Sequence, residues 1–216
     1  MPADKGTRHL GGDMKLYDSV GPNPRLVRMF LAEKGISIPT ETVDLIGGEN
    51  RGPDHLKRNP HGQMPALQLD DGSYLSEILA ICEYIEDTHP NPARIGETPR
   101  EKAECRMWTR RIDLNICEPM ANGFRFAEGL KLFQNRIVCV PEAAPGLKKI
   151  AADRLKWLDG QIDGKTYICG DRFTLADMML FAWLDFGATV NQPLDPANTR
   201  LTAWFARVKE RPSTRA

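Results

Sequence analysis

The segment GQMPALQLDDGSYLSE, residues 62–77, is followed directly by the helical run ILAICEYI, residues 78–85. The Asp-Gly pair at 71–72 separates two short segments and is typical of a tight turn between antiparallel strands. Because a proline follows Met64, that residue is biased towards an extended conformation in which its amide and carbonyl stay available. Glu77, at the start of the next helix, can offer a carboxylate to an amino group. The segment therefore predicts a hairpin whose edge docks a small peptide.

Length and charge limit the class of protein. The chain has 216 residues, which predicts one large or two modest domains with a sizeable core. Lys plus Arg and Asp plus Glu balance at 29 each, so nucleic acid and anionic membranes are not expected partners. No apolar run approaches the roughly 18 residues needed to span a bilayer, and residues 1–13 lack the apolar core of a signal peptide. We expect a cytoplasmic protein.

The cysteines give no sign of a disulfide framework or a zinc site. They are odd in number, widely spaced and without a Cys-x-x-Cys pair: Cys82, Cys105, Cys117, Cys139 and Cys169. We predict reduced, mostly buried thiols and no bound metal.

The first half of the chain has a thioredoxin-like order of elements. Residues 1–13 are polar and without a periodic pattern, and we predict a flexible tail there. A strand at 15–18, a helix at about 25–34 and a strand at about 40–45 precede the hairpin and the helix from Glu77. This βαβ and then ββα order predicts a thioredoxin-like domain over residues 14–92.

The second half is helical in texture. The Pro-rich segment at 88–93 predicts the domain linker, and residues 98–216 are predicted to form an all-helical domain. A long helix should begin near Pro99 and bend at Pro119. Further helices are predicted at about 146–162, 175–189 and 199–209. The fold class is therefore α/β plus all-α.

The run Thr174-Leu175-Ala176-Asp177 has the spacing of a capping box, with Asp in place of the usual Glu. Thr174 can cap the Asp177 amide while Asp177 reaches back to Thr174. We interpret the pair as structural.

The Pro-bearing loop, the two-strand hairpin and Glu-x-x-Ala-Ile on a helix resemble the glutathione-binding half of the cytosolic glutathione S-transferase family. The resemblance covers most of residues 14–213 in family order. It includes the segments KLY at 15–17, GGENR at 47–51 and GDRFTLAD at 170–177. The Gly-Pro-x-Pro loop at 21–24 is most similar to a fungal and bacterial subgroup that lacks the usual catalytic Ser, Tyr or Cys. The resemblance implies a homodimer that uses glutathione as co-substrate.

Thiolate formation is the chemical task that this resemblance implies. A cysteine-type thiol titrates near 8.5, so the protein must favour the anion by about one or two pKa units. The serine that plant and theta-like classes use falls on or next to Gly21, which has no side chain. Ser19 could donate its hydroxyl to the thiol or could satisfy loop backbone groups. Asn23 precedes Pro24, so we predict that it caps the helix, and some bacterial classes use an asparagine at this place to contact the thiol. Tyr17 falls inside a strand, which favours core packing.

The resemblance also implies contacts with the rest of the tripeptide. Met64, between Gln63 and Pro65, would pair through its backbone with the cysteinyl unit. Glu77 would bind the γ-glutamyl amine. Ile78 stands where relatives have Ser or Thr, which leaves its backbone amide for the γ-glutamyl carboxylate.

The glycine carboxylate would meet Asn50 and Arg51, where relatives often have His and Lys. Arg51 could equally be a solvated loop charge. For the electrophile pocket the candidates are Asn122, Arg125 and Phe126, which follow Pro119 in the sequence. Arg125 could instead be a surface or inter-subunit charge.

We therefore predict a glutathione S-transferase, in which the thiolate attacks a small electrophile. Gly21 and Ile78 leave open a non-catalytic module that binds glutathione or a hydrophobic ligand. Glutathione-dependent reduction of peroxides or disulfides would use the same thiolate with another acceptor.

Overall fold

The computed structural model describes residues 8–9 and 12–216. The chain divides into two compact units: the first ends at Arg94 and also takes in Arg215–Ala216, and the second is Ile95–Thr214. Of the predicted flexible tail, most lies outside the described residues. Within it, Arg8–His9 forms a short strand that pairs in parallel with Ile36–Ser37.

The first unit contains strands and helices in thioredoxin-like order. In chain order they are β1 (Arg8–His9), β2 (Lys15–Asp18), α1 (Pro22–Lys34), β3 (Ile36–Ser37), β4 (Thr40–Thr42), α2 (Pro53–Arg58), β5 (Ala66–Gln68), β6 (Tyr74–Ser76) and α3 (Ile78–Thr88). A 3-10 turn, Glu49–Arg51, precedes α2. The strand predicted at about 40–45 is shorter than expected.

The main sheet has the order β4-β2-β5-β6. Strands β2 and β4 are parallel and are joined through α1, whereas β5 is antiparallel to both β2 and β6. Leu16 and Leu67 stand opposite each other in register, and both are buried. At the turn of the hairpin, the Leu69 amide donates to Ser73 O at 2.8 Å, and Gly72 has φ 82°. The predicted thioredoxin-like domain and hairpin are confirmed.

Helix α1 begins earlier than predicted. Its first residue is Pro22, and Gly21 occupies the cap position with φ 115°. Asn23 is therefore the second residue of the helix, and the prediction that it caps the helix is wrong. Pro22 needs no backbone donor at the first position, so the chain enters the helix one turn before Arg25.

The second unit is helical. Its α-helices are α4 (Pro99–Ile112), α5 (Glu118–Arg125), α6 (Leu130–Phe133), α7 (Ala144–Gln161), α8 (Leu175–Thr189) and α9 (Thr199–Lys209). Helices α8 and α9 have the predicted bounds. Most of α8 is buried, which agrees with its apolar sequence.

The chain at Pro119 differs in detail from the predicted bend. A π-helical turn, Asp113–Cys117, connects α4 to α5, and the Glu118 amide donates to Asp113 O. Proline cannot donate to the carbonyl four residues earlier and its ring clashes with that carbonyl. The wider turn directly before Pro119 is where a helix can absorb this conflict.

The capping box is confirmed at the start of α8. Asp177 is fully buried and accepts hydrogen bonds from the Thr174 amide and hydroxyl at 2.9 and 3.1 Å. The same carboxylate accepts from the Ile168 amide and from Trp204 Nε1, both at 2.9 Å. Asp177 therefore joins three segments of the second unit, and its structural interpretation is supported.

Four of the cysteines are buried and Cys139 is half-buried, as predicted. Within residues 12–216, no helix has both the length and the apolar composition that crossing a membrane requires.

Candidate active site

The loop between β2 and α1 is held by side chains of the first unit. Arg28 Nη1 lies 2.9 Å from both carboxylate oxygens of Asp18 and donates to Ser19 O at 3.2 Å. The Val43 amide donates to Asp18 O at 2.8 Å. These contacts fix the chain just before the start of α1.

Ser19 takes part in this loop. Its buried hydroxyl donates to Val43 O at 2.7 Å. A hydroxyl has one proton to donate, so this bond uses it. The geometry thus favours the loop-supporting role over donation to a thiol.

We expect Ser19→Ala to lower the free energy of unfolding by about 1 kcal/mol, since it removes one buried hydrogen bond and leaves Val43 O without that donor. The pKa of bound glutathione should stay unchanged in this variant. Chemical denaturation and ultraviolet titration measure the two quantities. If Ser19→Ala instead raises the pKa of the bound thiol and leaves the stability unchanged, the Ser19 hydroxyl donates to the thiolate.

Tyr17 belongs to the core, as its position in a strand predicted. Its hydroxyl donates to Gln68 Oε1 at 3.0 Å, and Arg58 Cζ lies 4.0 Å from the centre of its ring. Burial raises the pKa of Tyr17, which disfavours the phenolate.

The Met64–Pro65 peptide bond is cis. The Met64 side chain is buried in a small cluster with Tyr17, Val43 and Ala66. Among the described residues, no hydrogen bond engages the Met64 N–H or C=O. Gln63 is exposed and Pro65 is buried. Met64 thus offers an unpaired backbone edge next to an anchored side chain.

Glu77 has an unusual backbone conformation that the sequence did not reveal. Its φ is 69°, a value that side-chain-bearing residues rarely adopt, and it occupies the cap position of α3. The side chain is exposed, and no hydrogen bond engages its carboxylate among the described residues. Backbone strain of this kind costs about 1–3 kcal/mol and clusters at functional sites. Ile78 is the first residue of α3, so its amide belongs to the helix start.

Asn50 and Arg51 lie in the 3-10 turn before α2, where both contact the loop that leads to Met64. Asn50 is buried, and its Nδ2 donates to Gly62 O at 2.6 Å. Arg51 Nη1 donates to His61 O at 3.1 Å. The Asn50 amide is therefore engaged in the loop, and Arg51 is the better placed of the two for a carboxylate.

Two buried polar residues of this region escaped the sequence interpretation. His55 Nε2 lies 3.0 Å from Gln63 O, and Asn59 Nδ2 donates to the same oxygen at 2.9 Å. The signal available in the sequence was a histidine and an asparagine four residues apart on a short helix, just before the Met-Pro segment.

The electrophile-pocket candidates lie at the end of α5, in the second unit. Asn122 Nδ2 donates to Glu118 Oε2 at 3.4 Å, and Arg125 Nη1 donates to Asn122 Oδ1 at 3.2 Å. Arg125 also lies over the Phe133 ring, 5.6 Å from its centre. Phe126 directly follows the helix and is half-buried. Asn122 and Arg125 form one polar row, and Phe126 adds an apolar face beside it.

Among residues 12–216, no group of three or more His, Cys, Asp or Glu side chains is placed to hold a metal ion. The arrangement in the first unit has instead the elements of a peptide site: a backbone edge, an exposed carboxylate and a helix start. The chain thus has the two-domain architecture of a peptide-binding protein: a thioredoxin-like domain with a free backbone edge, followed by an all-helical domain.

Comparisons with known proteins agree with this class. Residues 20–88 match the family model for the glutathione S-transferase N-terminal domain, and residues 138–212 match the C-terminal domain model. Glutathione S-transferase 2 of Saccharomyces cerevisiae is 33% identical over 210 residues, covering 94% of this chain and 88% of the relative.

Two solved structures extend the agreement. The crystal structure of Gtt2 from Saccharomyces cerevisiae has a TM-score of 0.85 at 31% identity and covers 93% of this chain and 98% of its own. A glutathione S-transferase domain-containing protein from Marinobacter aquaeolei VT8 has a TM-score of 0.87 at 32% identity, with coverage of 93% and 99%. The chain therefore belongs to the glutathione S-transferase family. It is a glutathione transferase, in a family whose substrate is glutathione.

Proposed function

We propose that this transferase adds the glutathione thiolate to small electrophilic substrates. The observation that carries the proposal is Glu77, an exposed carboxylate at positive φ at the start of α3. Its charge suits the γ-glutamyl amine, and the Ile78 amide suits the adjacent carboxylate. Met64 would pair with the cysteinyl unit, and Arg51 would meet the glycine carboxylate.

Activation of the thiol would depend mainly on the start of α1. Gly21, at the cap position, has no side chain that could accept hydrogen bonds from the first amides of α1. The partial positive charge at this helix end therefore remains available to a thiolate. A thiolate near a helix N-terminus is typically stabilised by about 0.3–1 kcal/mol, and by up to about 2 kcal/mol when partly buried. Asn23, the second residue of α1, would contact the sulfur. This mode of activation fits the fungal and bacterial subgroup with the Gly-Pro-x-Pro loop.

The remaining parts of the proposal concern the second unit and assembly. Asn122, Arg125 and Phe126 would contact the electrophile, with Arg125 suited to an anionic product. We propose a homodimer, with domain limits at residues 14–92 and 98–216. The names of the relatives do not favour a purely ligand-binding module.

The test is an ultraviolet titration of glutathione bound to the protein. We expect thiolate to form at a pH clearly below the free-thiol pKa of about 8.5 to 9. Asn23→Ala should raise this pKa in part. Because Gly21 occupies the cap position, the same substitution should cost less than the roughly 1 kcal/mol expected for loss of a cap.

Turnover should be measured with a panel of aromatic halides and, separately, peroxides. Conjugation with the halides supports the proposal, whereas activity confined to peroxides would favour the reductive reaction. If bound glutathione titrates like the free thiol and turnover stays at background, the proposed reaction is rejected.

A further inference from the structure

The loop before Met64 is held by buried side-chain donors aimed at two consecutive carbonyls. Asn50 Nδ2 donates to Gly62 O, and both His55 Nε2 and Asn59 Nδ2 contact Gln63 O. Each of the three side chains is only 2% exposed. Gln63 O therefore has two buried partners, which is the full capacity of a carbonyl oxygen.

This geometry determines where His55 carries its proton. A carbonyl oxygen can only accept, so the 3.0 Å contact is a hydrogen bond only when Nε2 bears the hydrogen. Nδ1 is then an acceptor, and it is buried without a partner among the described residues. An unpartnered buried polar atom destabilises a fold, and an apolar side chain on α2 would avoid that cost. The role of a histidine at this position must therefore lie in the hydrogen bond between its Nε2 and Gln63 O.

The consequence of holding Gln63 O follows from the planarity of the peptide bond. In a trans peptide the C=O and the N–H point in opposite directions. The Gln63–Met64 bond is not among the cis bonds of the described chain. Since Gln63 O points at His55 and Asn59, the Met64 N–H points away from them. The carbonyl that His55 and Asn59 hold thus directs the Met64 N–H to the side opposite these two residues.

We propose that His55 and Asn59 are positioning residues for glutathione: through Gln63 O they aim the Met64 N–H at the cysteinyl carbonyl of the tripeptide. This inference rests on the proposed binding of glutathione at Met64. It assigns affinity to two buried residues that do not touch the ligand. Asn59 has a second task, because its Oδ1 accepts from the His61 amide at 3.1 Å and so closes the turn.

The test compares glutathione with an analogue in which the cysteinyl–glycine amide is replaced by a trans carbon–carbon double bond, a planar and uncharged group that lacks the carbonyl acceptor. Calorimetry on the unmutated full chain should show that the analogue binds about three- to tenfold more weakly, as expected for one lost hydrogen bond. His55→Phe keeps a flat ring but loses the donor. This variant should bind glutathione more weakly by a similar factor. Its affinity for glutathione should then be close to its affinity for the analogue.

Kinetics should separate positioning from general damage. In His55→Phe the KM for glutathione should rise, while the KM for the electrophile and kcat at saturating glutathione change little. His55→Gln restores an N–H donor and should recover the preference for glutathione over the analogue. His61→Phe, in the same turn but with an exposed side chain, is the matched control and should behave as the unmutated protein.

The outcomes are distinguishable. If the unmutated protein binds neither ligand, the proposed function fails. If it binds both ligands equally, or if folded His55→Phe keeps the full preference for glutathione, this inference alone is overturned. Should His55→Phe not fold, Asn59→Ala must show the same loss of preference, and a retained preference there overturns the inference as well.

Discussion

Replacing Glu77 with alanine is expected to weaken glutathione binding by at least about an order of magnitude. A charge-assisted hydrogen bond contributes about 1.5–3 kcal/mol, and the first turn of α3 contains no acidic residue that could replace Glu77. Calorimetry with glutathione measures the loss directly. Unchanged affinity would remove Glu77 from the site and, with it, the observation that carries the proposed function.

The backbone at Glu77 supplies a second readout. Alanine must keep the positive φ of 69°, whereas glycine adopts such a value without a Cβ conflict. We therefore expect Glu77→Gly to be more stable than Glu77→Ala by about 1 kcal/mol, although both variants bind glutathione more weakly. Glu142→Gln removes an exposed carboxylate in the second unit and is the matched control for charge. Equal stability of the two Glu77 variants would mean that the strain at this position is small.

Replacing Asp177 with alanine is expected to cause the largest loss of stability. The substitution leaves the Ile168 and Thr174 amides and Trp204 Nε1 buried without this acceptor. Each such group costs about 1–3 kcal/mol, so we expect a loss of about 4 kcal/mol or more in the free energy of unfolding. For a chain of this size that corresponds to a decrease of roughly 10 °C in the thermal midpoint.

Calorimetric melting and chemical denaturation measure this loss. Asp153→Asn removes an exposed carboxylate of α7 and should change the melting point little. A loss below about 1 kcal/mol in Asp177→Ala would show that the donors find other acceptors and that the carboxylate does not join the three segments.

Asp177 should also give stability a distinct pH dependence. Burial raises the pKa of its carboxyl to about 6, against the lowering effect of its hydrogen-bond donors. Because the folded state then binds the proton more tightly than the unfolded state, this group contributes stability at low pH. That contribution is lost as the pH rises from about 4 through about 6. The difference in stability between the unmutated protein and Asp177→Asn should therefore grow as the pH falls from 7 towards 4.5, and a shrinking difference would contradict the raised pKa.

Local sequence signals predicted the elements well where the signal was itself local. The strand Lys15–Asp18 and the helices Leu175–Thr189 and Thr199–Lys209 have the predicted bounds. The Asp-Gly turn and the capping box at Thr174 depend on residues at most three apart, so their chemistry is legible in the sequence. Helix α1 was predicted less well, because both Pro22 and Pro24 suit the first position of a helix. The helix begins at Pro22, whereas the sequence analysis placed its start after Pro24.

The candidate site was predicted less completely, for reasons of distance along the chain. Ser19 and its acceptor Val43 are 24 residues apart, and Asn50 and Gly62 are 12 apart. No local pattern says which carbonyl such a side chain will meet. His55 and Glu77 show the same limit, since a buried hydrogen bond to Gln63 and a positive φ arise only when the surrounding chain is in place.

The sequence by itself determined the order of the elements, the tight turn of the hairpin and the presence of an acid at the start of α3. All of these follow from residue types at short spacing, through turn chemistry, periodicity and capping. Only the tertiary structure decided which polar groups remain available to a ligand. It engages Ser19 and Asn50 with loop carbonyls and leaves the Met64 amide and the Glu77 carboxylate without partners among the described residues. The physical reason is that each buried donor must find an acceptor, and the acceptors come from segments that meet only in the folded chain.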